Sequence, residues 1–129
     1  MKILYLPFNV ASMQAITAQA MNNVEGVEAK SLVTFIHKYQ SLNDSTIILP
    51  ERYISRKKPI KRLSAQWQFA KELKKWMNWA DVLHYVWGPT YPDARDLVWA
   101  KKMNKPVFIE WVGSDIRDPG IMFPINPYY

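Results

Sequence analysis

The sequence predicts an α/β domain in which helices cover both faces of a doubly wound parallel sheet, giving three layers. Short, nearly continuous apolar runs are typical of strands buried on both faces of a parallel sheet. In this sequence such runs alternate with segments of helical pattern, as in chains that build right-handed β-α-β crossovers. We therefore expect a Rossmann-like fold.

Five segments have the composition of strands. The first, KILYLP, follows Met1 directly, and the later ones stop at turn residues such as Pro50 and Gly88–Pro89, which end regular structure. The predicted strands are Lys2–Pro7, Val27–Val33, Thr46–Leu49, Asp81–Trp87 and Val107–Val112.

Three segments are expected to be helices. Met13–Asn22 is rich in Ala, Met and Gln and has Ser12 available as an N-cap. Pro59 to Trp79 shows apolar residues at helical spacing. Pro92–Asn104 begins with Pro and Asp and ends in lysines, the order that the helix dipole favours.

The helix from Pro59 to Trp79 has a predicted inner face. Its period places five residues towards the sheet and leaves Phe69 and Trp76 beside that face, where they would be free to reach other partners. The residues predicted to pack on the sheet are Leu63, Trp67, Ala70, Leu73 and Met77.

Length and composition indicate one folded unit. A chain of 129 residues, 49% hydrophobic and 22% charged, has enough apolar surface for a single core. The Pro- and Tyr-rich ending GIMFPINPYY shows no further helix or strand pattern. We expect residues 1–129 to be a single Rossmann-like domain, the N-terminal part of a larger two-domain protein.

Several site types are excluded by residues that the sequence lacks. It contains no cysteine and two isolated histidines, so we expect neither disulfides nor a metal site. The first strand is followed by PFNVAS, which lacks the glycines of the dinucleotide fingerprint. NAD and FAD are therefore not expected as cofactors, and Walker and Gly-x-Ser-x-Gly motifs are also absent.

Positive charge is concentrated in one stretch. The formal net charge is +6, yet Arg52 to Lys75 holds nine basic residues and one acid. Such a stretch predicts a polyanionic partner or is simply a solvated helix face. An anionic membrane, a nucleic acid and a phosphorylated substrate all fit, although no nucleic-acid motif accompanies the charge. The residues assigned to this basic patch are Arg56, Lys57, Lys58, Lys61 and Arg62.

The expected location is the cytoplasm, with association at the inner face of the membrane through the basic patch as a possibility. No apolar run approaches the ~20 residues of a spanning helix, and no secretory signal precedes the first strand.

Ligands of open α/β sheets bind beyond the carboxyl ends of the strands, where the strand order reverses. The loops that follow the first, fourth and fifth predicted strands contain hydrogen-bonding, aromatic and charged side chains. The predicted substrate-binding residues are Asn9, Ser12, Trp87, Gly113, Ser114, Asp115 and Arg117. No catalytic residue can be assigned.

Structural roles are the alternative for several of these side chains. Asn9 and Ser12 can order their loop and cap the helix that follows. Asp115 can cap a helix, and Arg117 can pair with a neighbouring carboxylate. Separately, His84 and Glu110 lie in strands that should be neighbours, so we expect a buried His–carboxylate pair within the sheet.

Two motifs resemble a known family. Asp81–Gly88 (DVLHYVWG) and Val112–Pro119 (VGSDIRDP), separated by one helix, resemble the N-terminal domain of bacterial family 4 glycosyltransferases. The opening strand with PFNVAS is similar as well. Family members commonly carry a histidine directly before Gly-Ser-Asp, a position occupied here by Val112.

The resemblance implies two facing Rossmann-like domains, the first holding the acceptor and the second the sugar nucleotide, with no obligatory metal or other cofactor. This chain would then bind a cell-envelope or lipid-linked glycan acceptor and be inactive alone, because the donor is bound mainly by the second domain. The alternative is a stand-alone, non-enzymatic Rossmann-like module that binds a small ligand or a partner in the same crevice. Neither reading fixes an oligomeric state.

Overall fold

A computed structural model describes residues 1–36, 38, 42–52 and 58–111. Within these ranges the chain forms a five-stranded, all-parallel sheet in the order β3-β2-β1-β4-β5. The predicted Rossmann-like α/β fold is confirmed. The strands are β1 (Lys2–Leu6), β2 (Glu28–Val33), β3 (Thr46–Ile48), β4 (Val82–Val86) and β5 (Val107–Glu110).

Three helices connect the strands as the sequence predicts. They are α1 (Met13–Met21), α2 (Pro59–Trp79) and α3 (Arg95–Lys102), and a single turn of 3-10 helix at Val10–Ser12 precedes α1. Helix α2 begins with Pro59 at its first position, where proline's fixed φ suits a helix and its missing N–H costs nothing. Helix α3 begins later than predicted, because Ala94 before it is left-handed.

The helices lie on opposite faces of the sheet because side chains alternate along β1. Leu4 and Leu6 point to a core shared with Phe69 and Leu73 of α2 and with Ala100 of α3. Residues Ile3 and Tyr5 point the other way and form a second, smaller core with α1. The sheet is therefore the middle of three layers, and β1 is its most buried strand.

The packing face of helix α2 matches the prediction at Leu73 and Met77 but differs in the first half of the helix, and Trp76, expected to be free, packs partly against the main core. The buried residues of α2 are Ala65, Phe69, Leu73 and Met77. Leu63 and Trp67, expected on the sheet, are 70% and 63% exposed, whereas Phe69, expected to be free, is 1% exposed. The sequence offers two apolar rows about a quarter-turn apart, and the 65/69/73/77 row fits the sheet because it repeats every four residues along the whole helix.

The start of α1 also differs in detail from the prediction. Ser12 occupies the N-cap position in the left-handed conformation, and its side chain makes no capping hydrogen bond. The amide oxygen of Asn9 instead accepts from the backbone N–H of Ala15 at 3.2 Å. The expected cap is thus provided from three residues further upstream, because the 3-10 turn folds Asn9 back over the helix.

Strand β5 is the edge of the sheet and every residue in it is exposed. Of the described helices, α3 supplies core contacts beside β4, while α1 covers β1 and β2. In the described ranges no helix is both long and apolar enough to cross a membrane. Nor do the described side chains include a group of three or more His, Cys, Asp or Glu residues placed to hold a metal.

The packing of α2 gives a direct prediction. Leu73→Ala should lower the free energy of unfolding by about 2–5 kcal/mol, because it opens a cavity in the main core. The matched change Leu63→Ala, on the same helix but facing solvent, should alter it by less than about 0.5 kcal/mol. Urea unfolding followed by circular dichroism measures both. Equal losses for the two variants would mean that α2 is rotated from the face described.

Candidate functional site

The strand order places a crevice where ligands bind in open parallel sheets. β1 pairs with β2 on one side and with β4 on the other. The first three strands therefore fill one half of the sheet and the last two fill the other half, with the reversal of strand order between β1 and β4. The loops after these two strands leave in opposite directions and open a gap at the carboxyl edge. A switch point between the first strand and the second half of the sheet was predicted and is confirmed.

An open cleft of about 470 Å³ lies at this carboxyl edge. Its walls come from the segments that follow β1, β2 and β4, together with the segment after β3. The lining residues are Phe8, Thr34, Phe35, Arg52, Trp87, Gly88, Pro89, Thr90 and Pro92. Mostly apolar walls with a few polar groups are typical of small-ligand sites, and this volume is in their usual range.

Three aromatic rings form one wall of the cleft. The Phe8 ring lies 6.2 Å from Trp87, edge to face, and 6.3 Å from Phe35. Trp87 and Phe35 are about half exposed despite these contacts. Aromatic faces held by neighbours but open to solvent offer a rigid surface on which a sugar ring or a planar group can stack.

Arg52 supplies positive charge to the lining of the cleft. Its guanidinium carbon lies 5.0 Å from the ring centres of both Phe69 and Tyr91, within the range of cation–π attraction. The guanidinium is thus tied to α2 through Phe69 and to the β4–α3 loop through Tyr91. Burial raises the pKa of the Tyr91 hydroxyl, while Arg52 and Arg95 act in the opposite direction.

A buried carboxylate fixes the loop that forms the cleft floor. Asp96, in the first turn of α3, is completely buried. Its oxygens accept from the backbone N–H groups of Thr90 at 2.7 Å and Tyr91 at 3.3 Å. The helix N-terminus further stabilises the negative charge. One side chain therefore sets the path of the loop that carries the lining residues after β4.

Tyr85 lies beneath the same loop and is fully buried in β4. Burial, and secondarily the charge of Asp96, raises the pKa of its hydroxyl well above the ordinary value. Tyr85 and Asp96 together connect the cleft floor with the main core, because Tyr85 also belongs to the hydrophobic cluster around α2 and α3.

Left-handed backbone is concentrated at the switch point. Ala11 and Ser12, after β1, have φ of 47° and 66°, and Trp87, directly after β4, has φ of 75°. Each costs free energy in a residue with a side chain, and such residues cluster at functional sites. Gly88 follows at φ 148°, a conformation that favours glycine.

The buried side chains of Thr90 and Gln14, near this edge, have polar atoms without hydrogen-bond partners among the described residues. Thr90 lines the cleft, and its hydroxyl oxygen has none. The amide of Gln14, in the first turn of α1, is buried with neither its oxygen nor its nitrogen bonded. Leaving such groups unpaired costs about 1–3 kcal/mol each, which a bound ligand or water at Thr90 would recover.

The residues predicted to bind substrate have different positions in the fold. Trp87 lines the cleft, as expected. Asn9 and Ser12 follow β1 but are buried in the loop before α1, and a substrate role for them stays a prediction. Gly113, Ser114, Asp115 and Arg117 lie outside the described residues.

The predicted basic patch is described in part. Lys58, Lys61 and Arg62 are exposed on the first turns of α2. Arg56 and Lys57 lie outside the described residues, so their contribution stays a prediction.

His84 and Glu110 form the expected pair in neighbouring strands, with His84 Nε2 3.2 Å from Glu110 Oε2. The expectation that the pair is buried was wrong, since the two side chains are 29% and 44% exposed. The reason is topological: β5 is the edge strand, and none of the described helices lies over this part of the sheet. The Tyr5 ring stacks beside His84 at 4.9 Å.

Of the nine residues that line the cleft, the predicted binding residues included only Trp87, and those that were missed include Phe8, Phe35, Arg52 and Thr90. The first two had a usable signal, because each is a large apolar residue directly after a strand, where polar loop residues are the norm. Arg52 was counted only as part of the charge cluster. Thr90 gave no signal, because its burial depends on the contact of Asp96 with the loop.

Together, these features define a Rossmann-like α/β domain with an open cleft at its switch point. No protein-family model, curated protein or solved structure matches the chain. The arrangement itself must therefore supply the functional argument.

The role of Asp96 leads to a stability prediction. Asp96→Ala should lower the free energy of unfolding by about 2–3 kcal/mol, because it leaves buried N–H groups without an acceptor. Asp93→Ala is the matched control: Asp93 pairs only at the surface, with Arg95, so no measurable change is expected. Urea titration of both variants measures the difference, and similar effects would show that the loop does not depend on Asp96.

A second prediction concerns alkaline pH. The folded chain keeps the Tyr85 proton above pH ~10, where the unfolded chain releases it. The folded state then binds more protons, so stability is full below pH ~10 and falls by up to about 1.4 kcal/mol per pH unit above it.

Tyr85→Phe should flatten this alkaline decline without abolishing it, because burial also raises the pKa of Tyr5 and Tyr91. The test is to measure the urea midpoint of the native chain and of the variant at several pH values from about 8 to about 11. Parallel curves for the two proteins would contradict the assigned role of Tyr85.

Proposed function

We propose that this chain is the acceptor-binding, N-terminal domain of a glycosyltransferase that moves a sugar from a nucleotide sugar to a cell-envelope or lipid-linked glycan. The observation that carries the proposal is the aromatic-walled cleft at the switch point, with Phe35 and Trp87 open to solvent and Arg52 in the same lining. Exposed rings suit the apolar faces of sugar rings, and a guanidinium suits an acceptor phosphate.

The sequence resemblance supports the same assignment at one described motif. Asp81–Gly88 forms β4 and the turn that leaves it, and Trp87 and Gly88 of this motif line the cleft. The Gly-Ser-Asp motif belongs, on the resemblance, to the same site. In this proposal the nucleotide sugar is bound mainly by a second domain, and no metal or other cofactor takes part.

The alternative is a stand-alone module that binds a nucleotide or small anion in the same cleft. Arg52 is the observation that favours it, because a stacked guanidinium next to aromatic rings also suits a nucleotide. The two functions differ in the preferred ligand: saccharide for the transferase domain, nucleotide for the module. The proposed location is the cytoplasm, at the inner face of the membrane.

The test is calorimetric titration of residues 1–129 with short cell-envelope oligosaccharides and, separately, with uridine diphosphate. Saccharide binding should weaken roughly threefold to tenfold in Trp87→Ala, because one stacking surface is lost. Trp67→Ala is the control, since Trp67 is equally large and exposed but does not line the cleft. The isolated chain should transfer no sugar from any nucleotide sugar.

Three results would count against the proposal. Uridine diphosphate binding more tightly than every saccharide would favour the stand-alone module. Saccharide binding that is unchanged in Trp87→Ala would place the acceptor elsewhere. Turnover by residues 1–129 alone would show that the donor site is not on a second domain.

A further inference from the structure

Helix α2 presents an apolar stripe to solvent. Ile60, Leu63 and Trp67 are 84%, 70% and 63% exposed, although they lie within a regular helix whose other side packs on the sheet. Their spacing of three and four residues places them in one row along the outer side. Large apolar residues in a contiguous exposed row mark a surface that is covered by a partner.

Basic residues surround this stripe. Lys58, Lys61 and Arg62 are exposed beside its first turns, and Lys71 continues the outer side towards the helix end. The ammonium group of Lys71 lies 5.2 Å from the Trp67 ring centre. The single acid of α2, Glu72, is paired with Lys75 at 3.3 Å. The outer side therefore combines apolar side chains with positive charge.

This combination fits one occupant better than the others. An amphipathic helix with Trp and Leu on its free face and Lys and Arg around them binds at the interface of an anionic bilayer. Apolar side chains enter the boundary of the acyl chains, while the basic residues remain at the anionic headgroups. A nucleic acid would use the charge but not Ile60 and Leu63, and a second copy of the chain would meet the same positive charge.

The end of α2 that carries the stripe lies at the carboxyl edge of the sheet. In a parallel sheet each connecting helix starts at this edge and runs back to the other. Contacts at both ends of α2 agree: Arg52, shortly before the helix, lines the cleft, whereas Trp79, its last residue, lies under the ammonium group of Lys2 at the start of β1.

We propose that the first half of α2 docks this domain on an anionic lipid bilayer by inserting Ile60, Leu63 and Trp67 while the surrounding basic residues contact the headgroups. Docking in this way turns the carboxyl edge of the sheet, with its cleft, towards the membrane. The inference deepens the proposed location at the inner face of the membrane by naming the docking surface. Its test is independent of the proposed function, because bilayer binding requires neither a glycan nor a nucleotide sugar.

The experiment is co-sedimentation of residues 1–129 with vesicles of phosphatidylcholine alone and of phosphatidylcholine mixed with phosphatidylglycerol. The native chain should bind the anionic vesicles, bind neutral ones far less and be released by salt. Leu63→Gln/Trp67→Gln should bind at least about tenfold more weakly, because the inserted surface is lost. Ile16→Gln, an equally exposed change on α1, should bind like the native chain.

A second pair of variants separates local from overall charge. Lys61→Gln/Arg62→Gln removes two charges beside the stripe, and Lys101→Gln/Lys102→Gln removes two exposed charges at the end of α3. The first pair should weaken binding more than the second, although net charge falls equally. Circular dichroism of every variant checks that it is folded.

Insertion is read from tryptophan fluorescence with lipids brominated in their acyl chains. Quenching should be clear for the native chain and smaller for Trp67→Phe, because Trp67 is the tryptophan expected at the acyl boundary. Trp111→Phe, which changes another half-exposed tryptophan, is the control and should lose less quenching.

The proposal would be overturned by equal binding to anionic and neutral vesicles, or by unchanged binding of Leu63→Gln/Trp67→Gln. If both double charge variants lost the same amount of vesicle binding, the binding would depend on net charge alone and the proposed docking surface would be wrong. Sedimentation equilibrium and titration with a single-stranded oligonucleotide test the other occupants. Loss of self-association or oligonucleotide binding in Leu63→Gln/Trp67→Gln, without vesicle binding by the native chain, would assign the stripe to that partner instead.

Discussion

The pairing of β1 with β4 is the constraint on which the structure depends. β1 is central and buried, with β2 paired on one side and β4 on the other. Because the side chains of β1 alternate, Leu4 and Leu6 pack on the face covered by α2 and α3, and Ile3 and Tyr5 pack on the face covered by α1. The same pairing opens the gap between the loops after β1 and β4, so the core and the cleft have one origin.

Asp96 extends this constraint from the core to the cleft. A buried carboxylate without partners would be very costly, but this one accepts from two backbone groups and lies at a helix N-terminus. It thereby holds the loop after β4 against α3, beside Tyr85 in the core. The left-handed backbone at Trp87 and Gly88 can persist because the chain is fixed on both sides, by β4 and by this carboxylate.

The cleft and the exposed stripe of α2 belong to the same edge of the sheet but depend on different physics. In the cleft, aromatic rings contact one another and a guanidinium lies near two further rings, so the lining has a fixed geometry. On α2, an exposed row of apolar side chains is flanked by basic ones, a combination that suits a fluid, charged surface. A glycan acceptor attached to a lipid would have to meet both surfaces together.

The sequence by itself determined the order and type of the five strands and three α-helices, and with them the parallel sheet and the switch point, but not the 3-10 turn at Val10–Ser12. Apolar runs and helical periods are local, and a β-α-β chain has few ways to arrange them. Of the site residues, Trp87 could be placed at the cleft because it follows a strand next to the switch point. The choice between the two apolar rows of α2 was decided only by packing, since Phe69 fits the sheet while Leu63 and Trp67 do not. The exposure of His84 and Glu110 and the burial of Thr90 were likewise decided by the tertiary structure, because each depends on residues far away in sequence. The local sequence pattern is enough to predict a strand or a helix, whereas the burial of a side chain depends on residues that are distant in the sequence.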